Sequence, residues 1–274
     1  MKPLLALFSL VLCAHAAEPP RGEPMSAKEA AAQAAAKKAA QDKVVDEKYQ
    51  GWVATLSPEA QAWEKVLQSQ LGNFYLPLHK RDKVAGKSNA WDLVQDDPKL
   101  PRVLLIGDSV SRGYTQPTRV TLAGKANVHR APANCGPTAS GLKNLDVWLG
   151  AGKWDVIHFN FGIHDRATPA ADYVKRLEEI VTRLEQTGAK LIWASTTPIP
   201  DNPAQKQTAH SVVEKNALAA EVMAKHGIPT DDLFAVMTPR LKEFQPPLDV
   251  HFTGAGYDFL GAKVGESILT RLAR

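Results

Sequence analysis

The stretch Arg102-Val103-Leu104-Leu105-Ile106-Gly107-Asp108-Ser109 decides the fold. Its apolar run is short, rich in branched residues and free of polar alternation. That pattern predicts a strand buried on both faces, as in a parallel sheet covered by helices. The run ends in Gly107-Asp108-Ser109, so the strand delivers a serine to its C-terminal end. Much later, Asp249-Val250-His251 supplies a histidine able to fold back on that serine. A serine paired with a general base is how a hydrolase makes a nucleophile at neutral pH.

Working outward, further strand-like runs lie at 155–161 and 190–195, with a weaker one at 126–130. Helix patterns separate them. In 169–187, Leu177, Ile180, Val181 and Leu184 fall at i, i+3, i+4 and i+7, between a Thr168-Pro169 start and a Gly188 stop. In 138–149, Leu142, Leu145, Trp148 and Leu149 make a second apolar stripe that ends at Gly150. Alternating strands and helices of this kind predict an α/β domain over residues 100–274, with a parallel sheet covered on both sides. Its site belongs at the C-terminal ends of the strands.

Ahead of that domain the chain changes character three times. Residues 1–16 have a basic start at Lys2, an apolar core from Leu4 to Leu12 and small residues at Ala14 and Ala16. They read as a cleaved secretory signal, too short to span a bilayer. Residues 17–48 are a Pro-rich exit followed by an Ala/Lys-rich spacer or exposed helix without a bulky apolar face. Residues 49–99 form a helical N-terminal extension whose packing groups include Trp52, Trp63, Leu67 and Leu71. Ser57-Pro58-Glu59 marks a helix start within it and Gly72-Asn73 a helix end. The extension is expected to pack on the main domain.

The formal charge is +4, or +3 once Lys2 leaves with the leader, and no basic run carries interleaved aromatics. Nucleic acid is therefore not an expected partner. Cys135 is the only cysteine left after the leader, so no internal disulfide forms. No Gly-x-Ser-x-Gly elbow, Gly-x-Gly-x-x-Gly turn or His-Glu-x-x-His helix occurs. His158 and His164 are poorly spaced for one zinc site. His158 lies within a strand and reads as a packed structural residue, as does Trp193.

Two more segments follow strand-like runs. Asn134-Cys135-Gly136-Pro137-Thr138 leads into the 138–149 helix, where Gly136 presents a backbone N–H with no side chain in the way. Phe161-Gly162-Ile163-His164-Asp165 follows the 155–161 run, where His164 is placed to donate to an oxyanion. Alone, these residues are a turn glycine and a surface histidine. Arg112, Tyr114 and the loop Thr197-Pro198-Ile199-Pro200 are candidates to border the pocket. Arg112 meets either an anionic group of the substrate or a carboxylate at the rim of the core.

Taken together, residues 100–272 resemble the SGNH (GDSL-type) hydrolase superfamily, whose blocks carry Ser, Gly, Asn and His. Gly107-Asp108-Ser109 matches the first block, Gly136 the second, Gly162-Ile163-His164-Asp165 the third and His251 the last. The chain departs from the pattern at His164, where the family has Asn, and at Leu248, where it has the Asp three residues before the histidine. Asp249, two before, is preferred as the residue that orients His251, with the Leu248 carbonyl as the alternative. The resemblance implies a flavodoxin-like three-layer α/β/α sandwich. It also implies ester hydrolysis through an acyl-Ser109, with Ser109, His251 and Asp249 catalytic. The oxyanion would be held by the N–H groups of Ser109 and Gly136 and by His164. No metal or other cofactor is required by that chemistry. The implied substrate is a small-molecule or polysaccharide ester, most simply an O-acetylated carbohydrate. A lysophospholipase or thioesterase activity, or a non-catalytic binding protein on the same scaffold, is the alternative. Oligomeric state is not legible in the sequence.

Overall fold

The computed structural model describes residues 26–205 and 207–273. The expected signal sequence lies outside them. The chain divides into two units at residues 44 and 45. The described part of the first unit is exposed helix, the beginning of α1 (Ala27–Ala54). Its alanines and lysines supply helix propensity and an i,i+4 pair, Lys38 Nζ–Asp42 Oδ2 at 2.5 Å, but no apolar stripe. The helix runs without a break past residue 48, where the composition changes.

The second unit opens with helices. Tyr49 on α1, Glu64 on α2 (Pro58–Gln70) and His79 on α3 (Gly72–Val84) form a buried polar cluster. The Tyr49 hydroxyl donates to Glu64 Oε2 at 2.6 Å, and His79 Nε2–H donates to the same oxygen at 2.8 Å. Ser57 caps α2 by accepting the Ala60 N–H. Gly72 adopts φ +63°, and α3 follows α2 directly. Leu67, Leu71 and Trp91 form the small apolar core of this extension. It packs on the main domain through Trp91 Nε1–H to Ala133 O and Trp148 Nε1–H to Gln70 Oε1.

The main domain is a five-stranded, all-parallel sheet in the order β2-β1-β3-β4-β5. The strands are β1 (Arg102–Ile106), β2 (Asn127–Arg130), β3 (Val156–Phe159), β4 (Lys190–Ala194) and β5 (Thr230–Asp231). Side chains alternate faces along each strand. Leu104, Ile106, Ile157, Phe159, Leu191 and Trp193 face α5 (Thr138–Leu149), α6 (Ala170–Glu185) and α7 (His210–Lys225). Val103, Leu105, Val128, Val156 and Ile192 face α4 (Ser109–Thr121) and α10 (Gly254–Leu272). Helices thus cover both faces, which gives the three-layer sandwich. Short helices α8 (Leu233–Met237) and α9 (Leu241–Phe244) lie between β5 and the loop before α10. The order reverses on either side of β1, so the crevice at the ends of β1 and β3 is the topological switch point.

Among the described residues, no helix is long and apolar enough to cross a membrane.

Candidate active site

The nucleophile candidate sits at the end of β1. Asp108 caps α4, its carboxylate accepting the Val110 N–H at 2.9 Å. Ser109 is therefore the first residue of the helix, and its N–H lies among the unpaired first-turn donors. Arg130, at the end of β2, anchors this turn from below. It is 2% exposed and donates from Nη2 to Gly107 O and Asp108 O, both at 2.9 Å, and from Nη1 to Ser111 Oγ at 2.5 Å. Sequence reasoning missed Arg130. The available signal was a basic residue closing a strand-like run.

The Ser109 hydroxyl donates to His251 Nε2 at 2.8 Å. On the other side of the ring, His251 Nδ1 lies 2.7 Å from Asp249 Oδ1. An ionised carboxylate only accepts, so Nδ1 carries the proton and the Nε2 lone pair faces the serine. The His251 backbone N–H also reaches Asp249 Oδ1, at 3.0 Å. That backbone bond, then the ring N–H, holds the Asp249 carboxyl below the usual aspartate range despite partial burial. Leu248 makes the arrangement possible: it adopts φ +61°, a left-handed conformation rare for a branched-chain residue. The twist presents Asp249 rather than the Leu248 carbonyl to His251. That carbonyl instead accepts from Asn202 Nδ2 at 3.3 Å.

Two loops complete the crevice. The Cys135 N–H donates to Gly107 O at 3.2 Å, which fixes the 134–136 loop beside the nucleophile turn. Gly136 has φ +67°, where a side chain would be strained. Asp165, fully buried, accepts from the Thr138 N–H at 2.8 Å and the Thr138 hydroxyl at 2.7 Å. It caps the start of α5 from another loop. This contact ties the Gly136 loop to the 3-10 turn Ile163–Asp165, which carries His164. His164 itself is exposed, and among the described residues nothing hydrogen-bonds its ring. Ser109, His251 and Asp249 are thus in direct contact. Gly136 and His164 are joined to each other through Thr138 and Asp165.

The remaining candidates fall elsewhere. His158 is buried in β3 with Nε2 2.9 Å from Asp231 Oδ2, and Trp193 is in the core. Tyr114 is buried beneath the site and lines a small polar cavity with Asp108, Asn160 and Thr197. The Cys135 thiol is buried, and burial pushes its pKa up to about 12, unfit for a nucleophile. Arg112 meets no carboxylate among the described residues and lies instead against Tyr75 and Trp91. No three His, Cys, Asp or Glu side chains among the described residues group as a metal site.

Comparison with known proteins agrees with this architecture. Among solved structures, a lipase/acylhydrolase from Enterococcus faecalis superposes with a TM-score of 0.56 at 24% identity. The match covers 62% of this chain and 96% of that one. A GDSL-like lipase from Bacteroides thetaiotaomicron matches with a TM-score of 0.52 at 17% identity, over 70% of this chain and 97% of that one. An acetylxylan esterase from Geobacillus stearothermophilus matches with a TM-score of 0.52 at 14% identity, over 64% and 94%. Among curated proteins there is no match. The family model for GDSL-like lipases and acylhydrolases matches residues 105–259, from the last residues of β1 into α10. The chain belongs to the GDSL-like lipase/acylhydrolase family of ester hydrolases.

Proposed function

We propose that the protein is an exported serine esterase that cleaves carboxylic esters through an acyl-Ser109 intermediate, acting on O-acetylated carbohydrate. One observation carries this reading: the unbroken line of contacts from Asp249 Oδ1 through the His251 ring to Ser109 Oγ.

As Ser109 Oγ attacks the ester carbonyl, its proton passes to His251 Nε2. The imidazolium that forms is stabilised by Asp249, which stays ionised. Charge develops on the carbonyl oxygen, and the N–H groups of Ser109 and Gly136 are the donors proposed to receive it, with His164 as the third. The tetrahedral intermediate collapses, His251 returns the proton to the departing alkoxide, and the alcohol leaves. Water then attacks the acyl-serine, losing its proton to His251, and the acid is released as Ser109 regains a proton. Export follows from the leader-like residues 1–16, with residues 17–48 as the spacer and 100–274 as the catalytic domain. The short acyl group is supported by the sequence, which offers no long apolar loop to hold a lipid chain. A structural neighbour named for acetylxylan esterase activity is consistent with it.

The test is hydrolysis of a p-nitrophenyl ester series from acetate to octanoate, by the mature protein and by Ser109→Ala. The expected result is fastest turnover of acetate and a loss of roughly 10⁴-fold or more in the variant. Equal rates from both proteins would overturn the serine mechanism, and a preference for octanoate would overturn the acetyl assignment.

A further inference from the structure

Arg112 lies three residues after Ser109 on α4, and i,i+3 side chains are surface neighbours with Cβ atoms about 5–6 Å apart. Three features of its surroundings are unfavourable for a cation. It sits in the first turns of α4, where the helix dipole is positive. Arg130 is close enough to interact with it by like charge. No Asp or Glu among the described residues pairs with it. Arg130 makes its hydrogen bonds to carbonyl and hydroxyl oxygens, with Asp108 close enough to attract it. Among the described residues, Arg112 is therefore left without an ion-pair partner of its own.

The guanidinium is nonetheless held firmly. Its Cζ lies 5.5 Å from the Tyr75 ring centre and 5.9 Å from that of Trp91, two aromatic faces contributed by the N-terminal extension. Trp91 also donates from Nε1 to Ala133 O, so the same ring touches the loop that presents Gly136. The donor Arg112 Nε is buried without a hydrogen-bond partner. The two terminal nitrogens of Arg112 have no hydrogen-bond partner among the described residues and are not buried, so they remain open to a carboxylate.

We propose that Arg112, backed by Tyr75 and Trp91, is a specificity-determining residue that selects esters of sugar acids. It binds the carboxylate of a uronic acid whose acetylated hydroxyl lies at Ser109. This rests on the serine esterase reading above and narrows its substrate to acidic carbohydrate. It also gives the N-terminal extension a part in recognition.

The experiment compares kcat/KM for O-acetylated glucuronic acid with that for O-acetylated glucose, in the wild type, Arg112→Gln and Arg112→Lys. The ratio within each protein is the readout, so a partly misfolded preparation does not alter it. The wild type is expected to prefer the acid, and Arg112→Gln to lower the ratio roughly tenfold to a hundredfold, the worth of a charged hydrogen bond. Arg112→Lys recovers part of that preference. Added salt lowers the wild-type ratio and leaves that of Arg112→Gln flat. A ratio unchanged in Arg112→Gln would overturn the proposal. So would a shift confined to p-nitrophenyl hemisuccinate against p-nitrophenyl acetate, which would place the anion on the acyl side. Should the wild type hydrolyse none of these esters, calorimetry on Ser109→Ala with glucuronate and glucose separates the two ideas. Binding of glucuronate that needs Arg112 keeps the anion subsite while the esterase reading falls. Equal binding of both sugars overturns the subsite.

Discussion

Asp249 reaches His251 across a spacing of only two residues because Leu248 turns left-handed and leaves its own 59%-exposed side chain in solvent. Such a conformation costs of order 1–3 kcal/mol and is held by what surrounds it, here the Asn202 contact on the Leu248 carbonyl. This explains why the orienting group was an open question in the sequence. Spacing lists which carboxylates are near a histidine, but a leucine does not announce a positive φ. Ser109 and His251 were legible because their chemistry is tied to a strand end and a late loop. Arg130 and Asp165 were not, since their worth lies in long-range contacts with backbone atoms of other loops. Cys135 illustrates the reverse case, a reactive residue type made inert by its place. Buried, and with its pKa pushed up to about 12, it is expected to resist a thiol-specific disulfide reagent at about pH 8 in the native mature protein. One equivalent should react once the chain is denatured, and rapid labelling of the native form would contradict this account.

Elements with a clear apolar stripe were readable. The helices at 138–149 and 169–187 appear as α5 and α6 within a residue or two of the expected ends, because their stripes face one continuous core. β5 went unread: two residues, Thr230 and Asp231, give no periodicity, and the strand exists through its pairing with β4. α6 and α7 are also joined by charge. His226 closes α7 and meets Glu178 at 2.7 Å and Glu185 at 3.1 Å, both on α6. The hydrogen bond to Glu178 leads in raising the His226 pKa above its ordinary value. A raised folded-state pKa contributes stability that is fully present below the unfolded value, about 6.5, and is lost as pH rises through the folded one. The protein is therefore expected to lose stability from this group as pH rises above about 6.5. Replacing it as His226→Gln should flatten the slope of urea midpoint against pH in that window. An unchanged slope in the variant would remove His226 from the account.

At the scale of the whole molecule, the Ser109–His251 pair is assembled from distant parts of the chain. Ser109 and His251 stand 142 residues apart and meet because α10 packs on α4. Gly261 permits that approach: a Cβ there would stand 2.3 Å from Pro117 Cβ and 2.8 Å from backbone atoms of Pro117 and Thr118. Gly261→Ala is expected to destabilise the fold by about 1–3 kcal/mol through overpacking and to lower kcat by shifting His251 relative to Ser109. Gly51→Ala, whose added Cβ meets nothing within 4 Å, is the control for both thermal melting and turnover. Equal melting and equal rates for the two variants would show that the helices have room to spare. The parallel sheet and its covering helices were legible from alternation alone. The closeness of these two helices was not, because a glycine in a helix pattern does not name its neighbour. The same contact sets the order of events during biogenesis. A nascent chain carries its serine long before its base exists, so it remains chemically silent until α10 docks. The chain cannot act on an ester before it has finished folding.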